Sequence, residues 1–146
     1  TDDARRHLER ELASHDDAGL RELLGVAHEK LGNPEEAERC WKAALAIDPN
    51  NTEAYIDLGR LALAHRRFDE AIPWLERAAE LSPEAVDPVY NLGQVYRFKN
   101  DAAKARHYEA LADARRRARP QRGGMGAMPA SVDESGMNER AHEVPR

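Results

Sequence analysis

The chain has 146 residues and a formal net charge of −5, with 34% charged and only 5% aromatic side chains, so any core must be built from Leu, Ala, Val and Ile on narrow helix faces. Residues 1–112 carry −7 and residues 113–146 carry +2, an acidic body that argues against nucleic acid as the main partner and favours basic ones. The single cysteine, Cys40, rules out an intramolecular disulfide, and no apolar run reaches the ~20 residues of a membrane helix. No signal-peptide pattern opens the sequence, so a soluble, cytoplasmic protein is expected. The start at Thr1 fits either loss of an initiator Met or a piece of a longer protein.

Residues 1–17 predict a helix begun by Asp2 or Asp3, with a thin apolar edge of Ala4, Leu8 and Leu12. That edge suits half a repeat, or a cap, docked on the next helix. His7, Glu11 and His15 fall near one another at i, i+4 and i+8. Each step drifts by about 40°, so the outer two diverge and the set reads as a solvated helix face, with no metal site expected.

Residues 18–51 predict a pair of helices. Between them, Gly32 ends the first, Asn33 caps the second, Pro34 opens it, and Glu35 and Glu36 complement its positive end. Ala37, Trp41, Ala44, Leu45 and Ile47 trace the apolar stripe of the second helix, which Asp48-Pro49 stops. Cys40 lies beside that stripe and reads as a small apolar side chain rather than a reactive thiol.

Residues 52–85 repeat the pattern. Tyr55, Leu58, Gly59, Leu61 and Ala62 face inward on the leading helix, the chain turns at Arg66–Asp69, and Ala71, Leu75, Ala78 and Leu81 line the trailing helix. Pro73 is expected near the start of that helix, where few intrahelical bonds are lost. Residues 86–119 repeat it again, with Asp87-Pro88 as cap and first residue, Asn100-Asp101 at the turn, and Ala105, Tyr108, Leu111 and Ala112 on the trailing helix. Arg115, Arg116, Arg117 and Arg119 then suit a solvated helix C-terminus, with an acidic partner or membrane surface as the alternative. Residues 120–146, rich in Gly, Pro, Ser and Met and without periodicity, predict a disordered tail.

The three pairs are copies. A shift of 34 residues superposes Leu24-Gly25, Leu58-Gly59 and Leu92-Gly93, then Ala37, Ala71 and Ala105, then Ala44, Ala78 and Ala112. A glycine inside a helix costs about 1 kcal/mol, so three at equal spacing point to a close helix crossing, with the alanines expected to face them. These slots resemble the tetratricopeptide repeat. Its skeleton reads Tyr55, Leu58, Gly59, Ala62, Ala71, Leu75, Ala78 and Pro83 in the second unit. Departures are Arg21 and His28 in the first unit, and Glu109 and Arg117 in the third.

The resemblance implies an all-α superhelical solenoid of helix-turn-helix repeats: residues 1–17 as half repeat or cap, three repeats at 18–51, 52–85 and 86–119, and the tail at 120–146. It also implies a concave groove lined by the leading helices, binding a peptide or partner helix without chemistry. The groove slots hold Glu22, Val26 and Glu29, then Glu53, Ile56, Arg60 and Leu63, then Asp87, Tyr90, Gln94, Arg97 and Phe98. The expected partner is a protein segment bearing some basic residues. A second possibility is self-assembly through an uncapped terminal helix, and a third is service as the interaction domain of a larger enzyme or secretion machine. The carboxylate clamp of chaperone-binding members is not expected, because its slots hold Glu22, Val26, Asp57, Asp87 and Asn91, and only Asn91 suits a carboxylate. No cofactor is expected and no catalytic constellation stands out, since the glycines at 123, 124 and 126 follow no strand and open no helix.

Overall fold

The computed structural model describes residues 1–119; the disorder expected of residues 120–146 lies outside them. Among the described residues there are seven helices and no strand: α1 (Asp2–Ser14), α2 (Ala18–Lys30), α3 (Pro34–Ile47), α4 (Thr52–Ala64), α5 (Phe68–Leu81), α6 (Asp87–Phe98) and α7 (Ala102–Ala118). Helices α2 and α3, α4 and α5, and α6 and α7 form hairpins, which stack so that α3 packs on α4, α5 on α6, and α4 on α6. The helix α1 packs on α2. The architecture is an α-helical solenoid.

The hairpin turns are chemically alike. Gly32, Arg66 and Asn100 all take the left-handed conformation, with φ of 81°, 60° and 63°. In each turn the following residue returns its N–H across six residues to a free carbonyl, Asn33 to His28, Arg67 to Ala62 and Asp101 to Tyr96. This is the helix stop that satisfies otherwise orphaned carbonyls. At the helix starts, Asn51 accepts from the N–H of Ala54 at 3.1 Å and Asp101 from that of Lys104 at 3.1 Å.

Three local expectations need correction. Thr1, not Asp2 or Asp3, caps α1, its hydroxyl accepting from Ala4 at 3.3 Å. Asp87 is the first residue of α6 rather than its cap, because Val86 is already helical. Pro73, the sixth residue of α5, removes only the one donor that would have reached Asp69, in keeping with a proline near the helix start. The glycines, finally, do not chiefly face the alanines. A Cβ built on Gly25 would clash with the Trp41 indole, and one on Gly59 with the Leu75 side chain. The large side chain of the trailing helix nests directly on bare backbone.

That nesting organises the core. Trp41 and Leu75 are fully buried, and burying an apolar side chain of this kind contributes about 2–3 kcal/mol. One cluster joins Ala37, Trp41 and Ala44 of α3 to Ala54, Leu58 and Leu61 of α4. Another joins Ala71 and Leu75 of α5 to Leu92, Val95 and Tyr96 of α6. The core therefore lies between hairpins as much as within them, as expected where each unit buries its face on a neighbour. Cys40 is half-buried, and burial pushes its thiol up, which disfavours the thiolate.

Candidate partner-binding face

The stacking lays α4 beside α6 and the Arg60–Glu29 ion pair ties α2 to α4, and the side chains of these three helices form the candidate face. Six of the twelve groove residues are half-buried on it: Glu22, Val26, Glu29, Arg60, Leu63 and Gln94. Val26 and Leu63 pack onto the core clusters, and Ile56 is only 8% exposed, so these three serve packing first. Glu53, Asp87, Tyr90, Arg97 and Phe98 are exposed.

Between the first and second units the structure brings acids together. The Arg60 guanidinium donates to both carboxylate oxygens of Glu29, at 2.8 and 2.9 Å, and to Asp57 at 3.2 Å. Asp57 is more enclosed than its acidic neighbours, its side chain only 14% exposed. Burial pushes its carboxyl up, against the pull of Arg60. Glu22 stands within hydrogen-bonding reach of Asp57 and feels Glu53 as well; burial, reinforced by these two charges, pushes its carboxyl up to about 7. Two carboxylates in contact cannot both ionise freely, so near neutrality the Glu22–Asp57 pair retains a proton part of the time. The site thus has one guanidinium among Glu22, Glu29, Glu53 and Asp57.

The residues of the third unit stand apart from this cluster. Arg97 donates two hydrogen bonds to Glu109 across the hairpin, at 2.7 and 2.8 Å, which holds the Glu109 carboxyl below the usual range. Tyr90, 44% exposed, borders a cleft of about 290 Å³ with Gln94, Glu109 and Arg116, and the Arg116 guanidinium lies 5.5 Å from its ring. Phe98 lies at the far end of α6, stacked on Phe68 of α5 with ring centroids 5.5 Å apart. The terminal arginines are largely used within the fold. Arg115 donates to the carbonyls of Ala85 and Ser82, Arg116 pairs with Asp113, and Arg117 donates to the Asp113 carbonyl.

Sequence-family comparison settles the class. The tetratricopeptide-repeat model matches residues 1–52, 23–86 and 56–122. The chain is a tetratricopeptide-repeat protein. It is 30% identical over 60 residues to human tetratricopeptide repeat protein 6, which covers 41% of this chain and 12% of that protein. The chain spans 6 to 12% of the length of the curated relatives it matches. Among solved structures it is similar to MamA, with a TM-score of 0.76 at 21% identity over 80% of this chain and 68% of that one. It is also similar to YrrB, described as a TPR protein with an unusual peptide-binding site, with a TM-score of 0.68 at 26% identity over 88% of this chain and 64% of that one.

Two residues lie outside the twelve groove slots: Asp57 on α4, which the sequence placed only among the clamp slots, and Arg66 in the turn that follows α4. Asp57 lies one period plus one residue from Glu22, so the 34-residue register was enough to place the two together. Arg66 occupies the slot of Gly32 and Asn100, and its departure from that pattern was the available signal. Among the described residues no group of His, Cys, Asp and Glu side chains is arranged to hold a metal ion, and no helix is long and apolar enough to cross a membrane.

Proposed function

We propose that this repeat array is a non-catalytic, cofactor-free adaptor holding a segment of another protein along α2, α4 and α6. In this reading a lysine or arginine of the segment sits against Glu22, Asp57 and Glu53, while Tyr90, Gln94 and Asp87 extend the contact. The supporting observation is the excess of carboxylates over cations around Glu22 and Asp57. A partner ammonium would take the place of the shared proton, adding charge-assisted hydrogen bonds where two acids now repel. The peptide-binding site named for YrrB makes such a ligand class reasonable here. A reading as the interaction segment of a longer protein is favoured by the small share of its relatives that the chain spans.

The test is calorimetric titration with a capped hexapeptide alternating lysine and leucine, alongside its glutamine counterpart. The Glu22→Lys variant supplies its own ammonium beside Asp57. It is expected to lose affinity for the lysine peptide by about ten-fold or more, the worth of a charge-assisted hydrogen bond, with an equal or higher Tm. Equal affinity of the variant, or equal binding of the glutamine peptide, contradicts the reading.

A further inference from the structure

We propose that the turn edge formed by Arg66, Phe68 and Phe98 is a second docking surface, which takes an aspartate or glutamate carboxylate from an acidic, apolar segment of a partner protein. Position 66 is left-handed, as are its equivalents Gly32 and Asn100. Glycine adopts that conformation freely and asparagine tolerates it, whereas a long side chain is disfavoured. The turn itself gives no reason for arginine, since the same backbone bonds close all three turns.

The side chain supplies a reason. The Arg66 guanidinium lies 5.7 Å from the centre of the Phe68 ring and 5.5 Å from that of Phe98, and the two rings are stacked within 8° of parallel. It donates to no acceptor and joins no ion pair among the described residues. Its neighbours are committed: Arg67 to Glu38 and Glu70, and Lys99 to Asp69. A guanidinium held against aromatic rings retains a planar fork of N–H donors that matches a carboxylate. Phe98 is 51% exposed beside it, and a cleft of about 300 Å³ opens among Arg66, Arg67, Phe68, Asp69, Glu70 and Lys99. A charged fork next to an open aromatic surface fits an acidic side chain flanked by apolar ones. Asp69 and Glu70 on the rim favour the single charge of a carboxylate over the nearly doubled charge of a phosphate.

The experiment uses a capped hexapeptide alternating aspartate and leucine, with asparagine–leucine and phosphoserine–leucine counterparts, titrated into the whole chain by NMR at low salt. Arg66→Asn installs the residue of the third turn. It is expected to weaken the aspartate peptide by about ten-fold or more while leaving Tm unchanged or raised, and Phe98→Ala is expected to weaken it as well. The proposal is overturned by absence of binding at about 1 mM, the weakest affinity worth about 4 kcal/mol. Equal binding of the asparagine peptide, or tighter binding of the phosphoserine peptide, overturns it too. So does a fall in Tm for Arg66→Asn, which would make the arginine a clamp on the two rings.

Discussion

The first two hairpins and the third use the same backbone and opposite chemistry at one slot. Trp41 and Leu75 lie fully buried against Gly25 and Gly59, while Glu109 stands at the equivalent place beside Gly93 and pairs with Arg97. A Cβ on Gly93 would meet the Glu109 Cγ at 3.2 Å, a looser fit against a flexible side chain. The difference follows from what lies outside each hairpin. The first two are covered by α4 and α6, so a large apolar side chain there is buried on both sides. Among the described residues no helix follows α7, and the Glu109 side chain is 33% exposed. A paired carboxylate ends the apolar stack without exposing a hydrophobic patch.

The largest effect expected from this contrast lies in the glycines. Gly59→Ala should destabilise by about 2 kcal/mol, since Leu75 has no free space to move into. Thermal melting would show this as a fall in Tm of roughly 10 °C. Gly93→Ala should be neutral or stabilising, because the gain in helix propensity is about 1 kcal/mol and Glu109 can give way. Equal losses at the two sites would remove the distinction between the hairpins.

A second effect concerns association. Glu109→Leu gives the third hairpin the side chain of the second and leaves Arg97 without its carboxylate. Sedimentation across concentration should show the variant self-associating more strongly than the wild type. A variant that associates no more than the wild type would mean that the polar slot is not what keeps this end from stacking.

The smallest effect is on pH dependence. Glu22 holds its proton up to about 7 in the folded chain, well above its ordinary value of 4.5. Between those values the folded state binds more protons than the unfolded state, so this group's stabilisation is complete below 4.5 and is lost as pH rises through 7. Melting of Glu22→Gln from pH 4.5 to 8 should therefore show a shallower decline than the wild type. Superimposable profiles would place the carboxyl outside the pair.

The contrast also shows what could be read without coordinates. The 34-residue register carried the helices, the glycine slots and the odd character of Glu109, because side chains that bury on a neighbouring repeat must recur at its period. Gly32 and Asn100 suit their turns by residue type; the turn at Arg66–Asp69 is legible from the register, but residue type gives no sign that the arginine itself takes the left-handed conformation. Pro73 sits in the second turn of α5, where one backbone donor is lost and the packing of Ala71 and Leu75 against α6 holds the helix. The ion pairs were the least legible. Arg60 with Glu29 and Arg97 with Glu109 join residues 31 and 12 positions apart, and many other carboxylates were available to each arginine. Choices among solvated partners depend on rotamers and local geometry, which leave no periodic trace.

The central functional claim concerns one proton and what replaces it. Carboxyl-carbon NMR titration of Glu22, in the chain alone and with the lysine–leucine hexapeptide, tests it most directly. The account predicts a midpoint near 7 in the free chain that falls toward the ordinary carboxylate range when the peptide is present. A midpoint near 4.5 in the free chain, or one that the peptide does not move, would contradict it.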